Sequence, residues 1–180
     1  SGIGIEFPIK NNLEDWKKKP NQYLAKILNS QEKNSLMGKL DDEGYIQGGQ
    51  ASFLPDAWGF DGSMFIDLNL TEYGEQNKDD IISMIFNYLN VISEKGITLA
   101  HFNELKATNN IAYENYSSLP PLQAALTLTD RIFEIEPVHL IEYEYITEDF
   151  DAELILSVLS QMKPENVRIY HVGPNEEINQ

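Results

Sequence analysis

The chain has 180 residues, 42% of them hydrophobic, which suits one globular domain with a sizeable core. Its 29 acidic and 13 basic residues give a formal net charge of −16, which argues against nucleic-acid binding, because phosphate recognition relies on Lys and Arg. Cysteine is absent, so disulfides, thiolate catalysis and Cys-ligated zinc are excluded. No apolar run is long enough to predict a membrane span. The first residue is Ser rather than Met, and we expect an excised domain.

The chain opens with apolar residues at alternate positions. Ile3, Ile5, Phe7 and Ile9 predict a first strand with one buried face. Pro8 cannot donate a ladder hydrogen bond, so it indicates either a sheet edge or the end of this strand.

A polar loop over residues 10–19 precedes two predicted helices. The only basic run, Lys17-Lys18-Lys19, predicts a solvated turn before the first helix. Pro20 suits a first helical turn. A second helix is predicted over residues 35–43, and Gly44 stands where the left-handed residue that ends a helix belongs.

A hairpin is predicted next, with one arm over residues 45–54 and a turn at Pro55-Asp56-Ala57. The second arm carries apolar residues or Gly at every second position. These positions are Trp58, Phe60, Gly62, Met64, Ile66, Leu68 and Leu70. A period of two predicts a strand with one face packed and one face in water.

Helices fill most of the remaining chain. They are predicted at about residues 71–96, 98–116, 122–133, 137–143 and 151–161, before a last strand over 167–172. Ile81, Ile85, Leu89 and Ile92 form the apolar stripe of the first of them. The element order predicts an α+β fold, in which helices cover one face of a mixed or antiparallel sheet. We expect one domain over residues 1–173 and a linker over 174–180.

Candidate chemistry is sparse. The three histidines, His101, His139 and His171, lie far apart in sequence, and we expect surface or structural roles for them. His101 and Glu104 share a helical face, but a zinc site typically needs three protein ligands. We therefore predict no metal site and no catalytic residue in this chain. A glycosidase-like carboxylate pair stays open, because its separation is a three-dimensional quantity.

The most suggestive local feature is Gly48-Gly49-Gln50. Glycine inside a strand often marks a bulge, and local sequence alone favours that interpretation. The alternative is functional: an edge strand without Cβ atoms leaves its N–H and C=O groups open to a peptide that adds as another strand.

A series of short segments runs through the chain from about Ile5 to Gly173. These segments are Ile5-Glu6-Phe7-Pro8-Ile9, Lys19-Pro20, Tyr23-Leu24, Ser35-Leu36, Lys39-Leu40, Glu43-Gly44-Tyr45, Gly48-Gly49-Gln50, Leu70-Thr71-Glu72-Tyr73-Gly74, Ile85-Phe86-Asn87-Tyr88, Glu148-Asp149-Phe150, Leu154-Ile155 and Lys163-Pro164-Glu165-Asn166-Val167-Arg168. In the order and spacing of these segments the chain as a whole resembles the second domain of the pitrilysin and insulin-degrading-enzyme branch of zinc metalloendopeptidases, peptidase family M16.

This resemblance implies a role inside a larger enzyme. Such enzymes consist of four related α+β domains of LuxS/MPP-like fold, in two halves that close around a peptide. The first domain carries the zinc, and the second is non-catalytic and is expected to be inactive alone. In this chain the segment from Gln22 to Lys26 stands where the first domain has its zinc motif. Lys cannot bind zinc while protonated, and Ala25 cannot act as a general base.

The resemblance also implies partners and a binding site. The partners are the catalytic domain of the same parent chain and peptide substrates, with no nucleic acid or membrane, in the periplasm or the cytosol. In the insulin-degrading relatives the matching Gly-Gly-Gln strand belongs to an exosite that anchors the substrate's N-terminal stretch. We therefore expect Gly48, Gly49 and Gln50 to bind substrate, although the turn after Tyr45 is shorter here. The alternatives are a scaffolding M16-like module and an independent hydrolase that uses carboxylates.

Overall fold

The computed structural model describes residues 1–55, 60–116, 120–132 and 135–173. Strands and helices follow one another in an α+β order. They are β1 (Gly2–Ile9), α1 (Pro20–Leu28), α2 (Leu36–Asp42), β2 (Ile46–Leu54), β3 (Gly62–Leu70), α3 (Glu72–Gln76), α4 (Lys78–Val91), α5 (Leu99–Glu114), α6 (Pro121–Arg131), α7 (Ala152–Leu159) and β4 (Arg168–Val172). A π-helical turn, Ile92–Gly96, continues α4.

The four strands among the described residues form one sheet in the order β2-β3-β1-β4. All three pairings are antiparallel, which confirms the predicted α+β class. β1 is therefore an inner strand, and its pairing with β4 covers only Gly2 to Glu6. Pro8 lies near the end of β1 and beyond the pairing with β4, so its missing N–H removes no ladder hydrogen bond.

One face of the sheet is buried under helices. The alternating residues of β1, Ile3 to Ile9, are at most 2% exposed, and those of β3 from Met64 to Leu70 are buried as well. They pack in one hydrophobic cluster with side chains of α1, α2, α4, α5 and α7. The opposite face carries the half-buried or exposed residues of each strand, as the period of two predicts.

Side-chain caps fix where several helices begin. The oxygens of Ser35, Thr71, Thr98 and Asp151 each accept a hydrogen bond from a backbone N–H three residues later. Each bond satisfies one of the free donors at a helix N-terminus. Gly44, with a φ of 74°, ends α2 in the left-handed conformation that the sequence predicts.

Two sequence predictions are wrong in detail. Phe60 is 76% exposed, because the packed strand starts only at Gly62. The predicted helix over 137–143 is a 3-10 turn, Pro137–His139, followed by further turns. The carbonyls of Tyr143 and Glu144 accept hydrogen bonds from side chains of the α1 region, which holds this segment in turns. Asp56, Ala57, Trp58 and the linker over 174–180 lie outside the described residues.

Candidate functional site

The segment Gly48-Gly49-Gln50 lies in β2, which pairs with β3 alone among the described strands and forms an edge of the sheet. The pairing shifts register between Ile46 and Gly48, so a bulge directly precedes the two glycines. A bulge and an edge position therefore occur together in β2: the bulge changes the direction of the strand, and the two glycines follow it along the edge.

The hydrogen bonds of the neighbouring strands show which residues of β2 face outward. The N–H of Leu70 donates to the carbonyl of Ser1, so even-numbered residues of β3 face β1 and odd-numbered ones face β2. Asp67 pairs with Gln50, and Asn69 pairs with Gly48. By the same alternation Gly49 and Ala51 direct their N–H and C=O groups away from β3, and Gly49 has no hydrogen-bond partner for these groups among the described residues.

The two glycines differ in the space around them. A Cβ at Gly49 would lie 2.6 Å from Cδ2 of Leu68 and 3.0 Å from Sδ of Met37, whereas a Cβ at Gly48 would have nothing within 4 Å. A side chain at position 49 would therefore press on the ends of Leu68 on β3 and Met37 on α2, and it would lie 3.2 Å from the carbonyl oxygen of Asp67, so the close packing here favours glycine.

An open groove of about 950 Å³ crosses the outer face of the sheet beside this edge. Gly2 and Gly4 of β1 lie on its floor, with Gln50 and Asp67 on one side and Tyr170 on the other. The groove is therefore continuous with Gln50, whose side chain is exposed.

The residues of α1 from Gln22 to Lys26 pack in the core or contact neighbouring side chains and backbone groups. Oε1 of Gln22 accepts from Nδ2 of Asn109 at 2.9 Å, and its Nε2 donates to the carbonyl of Glu144 at 3.1 Å. The three residues between Gln22 and Lys26 are buried, and Nζ of Lys26 lies 3.9 Å from Glu104. No residue of this segment is a zinc ligand, so it does not fit a metal.

The histidines lie apart from one another. Nδ1 of His101 is 3.3 Å from the carbonyl of Gly96, and Nδ1 of His139 is 3.2 Å from Glu142. His171 contacts Glu75. Across the described part of the chain, no three His, Cys, Asp or Glu side chains come together in a group that could hold a metal ion.

Lys19 corrects the interpretation of the basic run. Lys17 and Lys18 form ion pairs at the surface, but Lys19 is 5% exposed and directs Nζ to the carbonyl of Tyr143. Its Nζ lies 5.4 Å and 5.0 Å from the ring centres of Trp16 and Tyr143. Burial lowers the pKa of Lys19 to about 8, although the charge of Glu144 opposes that change.

Sequence reasoning missed two residues that shape these surfaces, Lys19 and Asn29. The amide of Asn29 hydrogen-bonds the backbone of Ala51 on the β2 edge. No local sequence signal predicts the burial of Lys19, which belongs to the same basic run as Lys17 and Lys18. For Asn29 the sequence offers only its position directly after the apolar run of α1.

Among the described residues, no helix is both long and apolar enough to cross a membrane. No family model matches the chain. Over 177 residues it is 28% identical to Protease 3 of Escherichia coli strain K12, an alignment that covers 98% of this chain and 18% of that protein. The chain thus spans about a fifth of the length of the curated relatives it matches.

Solved structures agree with this relationship. The crystal structure of pitrilysin superposes with a TM-score of 0.94 at 27% identity, over 99% of this chain and 19% of the other. A peptidase M16 inactive domain from Pseudomonas fluorescens shares the fold with a TM-score of 0.64 at 12% identity, over 93% of this chain and 39% of the other. The chain is therefore similar over nearly its whole length to a domain of the pitrilysin-like proteases of family M16, and it shares its fold with an M16 inactive peptidase domain.

Proposed function

We propose that this chain is the non-catalytic domain of an M16 zinc metalloendopeptidase. It completes the N-terminal half of a peptide-enclosing chamber and anchors the N-terminal stretch of peptide substrates on the edge of β2. Zinc and the catalytic groups are supplied by another domain of the same parent chain.

The open backbone of Gly49 is the observation that carries this proposal. An extended peptide can add to an exposed sheet edge through main-chain hydrogen bonds, which need no particular side chain. Such binding suits an enzyme that processes many sequences. Anchoring one end of a flexible peptide also raises the local concentration of its remaining length at a distant catalytic centre.

Charge supports a peptide ligand of basic character. The chain has a formal net charge of −16, and Asp67 lies in the groove beside Gln50. A field of this sign attracts cationic peptides and speeds their association. A field of this sign also repels nucleic acid.

The length of the relatives supports a division of labour. Because the chain spans about a fifth of Protease 3, the relative has ample sequence for a separate catalytic domain. In this chain the α1 segment from Gln22 to Lys26 is held by hydrogen bonds to Asn109 and Glu144. It therefore serves packing rather than hydrolysis.

A scaffolding role is the second candidate, and exposed apolar side chains favour it. Ile111 on α5 is 61% exposed, and Leu122 and Leu126 on α6 are 75% and 60% exposed. Exposed apolar residues that cluster on a surface often mark a protein–protein contact. These residues suit contact with a neighbouring domain, whether or not the β2 edge binds peptide.

Peptide titration of the isotope-labelled chain, followed by NMR, tests the proposal. The probe is a lysine- and valine-containing peptide with a free amino terminus. We expect saturable shifts of the amides around Gly49 and no hydrolysis of the probe, with or without added zinc. The scaffolding role alone predicts no shift in β2 at any peptide concentration. Chelator-insensitive hydrolysis by the purified chain would instead support an independent hydrolase.

A further inference from the structure

Asn29, the residue after α1, lies against the outer edge of β2. Its Nδ2 donates to the carbonyl of Ala51 at 2.8 Å, and its Oδ1 accepts from the N–H of Ala51 at 2.7 Å. Both outward-facing backbone groups of Ala51 are therefore already paired.

This pair of bonds copies the contact that another strand would make. In an antiparallel ladder, a residue facing Ala51 would offer one carbonyl to its N–H and one N–H to its carbonyl. The carboxamide of Asn29 supplies the same acceptor and donor from a side chain. Asn29 thus occupies the place of one strand residue without continuing as a strand.

The position of this contact divides the edge. Outward-facing residues of β2 alternate, so the neighbours of Ala51 in this set are Gly49 and Phe53. A strand that runs along the whole edge would have to displace Asn29 from Ala51. The Gly49 side adjoins the open groove, whereas Phe53 lies in a separate pocket that includes Lys19.

We infer that Asn29 is a register stop for peptides that bind the β2 edge. A bound peptide pairs at Gly49 with its terminal residues and leaves the edge before Ala51. This inference rests on the proposed peptide-anchoring function. The ligand is the extended end of a basic peptide, because a second copy of this chain would carry the same net charge of −16.

The stop makes affinity independent of peptide length beyond the first few residues. Removing the carboxamide frees Ala51, so that a longer peptide can pair at Gly49, Ala51 and Phe53 in one continuous strand. Each additional net hydrogen bond is worth roughly a factor of two to ten in an equilibrium constant. A long peptide should therefore gain about fivefold or more in affinity for the variant.

The test compares the original chain, Asn29→Ala and the matched surface control Asn87→Ala. The probes are a ten-residue peptide of alternating lysine and valine and its four-residue amino-terminal fragment. Dissociation constants come from NMR titration, and amide hydrogen exchange reports on the edge. We expect Ala51 to exchange slowly in the original chain and in the control, and quickly in Asn29→Ala. The two peptides should bind the original chain equally, whereas Asn29→Ala should favour the longer one.

The outcomes separate the inference from the function on which it rests. If all three proteins prefer the longer peptide to the same degree, Asn29 is not a stop, although the edge still binds peptide. If neither peptide shifts Gly49 in any protein, the anchoring function itself fails, and the inference fails with it. Dimerisation of Asn29→Ala in sedimentation experiments would assign the freed edge to a second copy and would also overturn the inference.

Discussion

The imidazole of His171 on β4 lies against the carboxylate of Glu75 on α3, with Nε2 2.8 Å from Oε1 and 3.0 Å from Oε2. Nζ of Lys78 contacts the same carboxylate at 2.6 Å. The contact joins β4 to the short helix α3, although the two residues are 96 positions apart in the sequence.

Glu75 should make the fold sensitive to acid. Hydrogen bonds from Lys78 and His171 lower the pKa of Glu75 from 4.5 to about 2. A depressed pKa contributes stability above the unfolded pKa, and that stability is lost as pH falls from about 4.5 towards 2. In urea unfolding between pH 7 and pH 3, Glu75→Gln should be less stable than the original chain at pH 7 and should approach it at pH 3. Glu72→Gln, on the same helix but exposed, is the control, and a constant gap for Glu75→Gln would contradict the prediction.

Lys19 should make the fold more stable as pH rises in the alkaline range. Its pKa is lowered from 10.5 to about 8, so between these values the unfolded chain holds a proton that the folded chain has released. Stability from this group therefore rises with pH across that window. The pKa gap corresponds to at most about 3 kcal/mol. In unfolding measurements from pH 7 to pH 10, the free energy of unfolding of the original chain should rise relative to that of Lys19→Met.

The neighbouring lysine provides the control for that measurement. A hydrogen bond with Asp15 raises the pKa of Lys18, so Lys18→Met should not remove the rise. An equal pH profile for Lys19→Met and the original chain would show that Lys19 is protonated in the fold throughout this range.

The two glycines of β2 should differ sharply in tolerance. Gly49→Ala forces a methyl group onto Leu68 and Met37 and should cost about 1–3 kcal/mol of unfolding free energy. Gly48→Ala points into open space and should change it by about 0.5 kcal/mol or less. Denaturant unfolding checks both values. Equal costs would mean that Leu68 and Met37 move aside without loss of stability.

Asn109 should be essential to the packing around α1. Its Nδ2 donates to Gln22 at 2.9 Å and to the buried hydroxyl of Thr147 at 2.8 Å. Asn109→Ala leaves these acceptors with one partner fewer and should cost about 1–3 kcal/mol. The adjacent Asn110 is exposed, and Asn110→Ala should be close to neutral in the same thermal or urea unfolding measurement. Alanine has a higher helix propensity than asparagine, so helix propensity cannot account for a loss, and similar losses for both variants would contradict the role given to the Asn109 hydrogen bonds.

Periodicity predicted most of the sheet and the core. The alternation from Met64 to Leu70 and the stripe from Ile81 to Ile92 are buried as expected, because each pattern repeats over several turns or residues. The strand order was not predictable in this way, because Pro8 is compatible with β1 either at the edge of the sheet or inside it. The inner position of β1 depends on its pairing with both β3 and β4.

Features that depend on a single long-range contact could not be predicted from local sequence patterns. Nothing local distinguishes Lys19 from Lys17 and Lys18, and its burial depends on Trp16 and on a carbonyl more than a hundred residues away. The candidate edge was singled out from its glycines, but its orientation depends on hydrogen bonds of neighbouring strands. Asn29 becomes noticeable only when Ala51 is opposite it.

The central place of β1 has a consequence for the order of folding. The first strand of the chain lies between β3 and the last strand, with Gly2 paired to Asn69 on one side and to Val172 on the other. The second of these pairings closes a loop of nearly the whole chain, which carries a large entropic cost and belongs to slow, non-local folding steps. During synthesis the hairpin of β2 and β3 can capture β1 early, but the sheet stays incomplete until the final strand has left the ribosome.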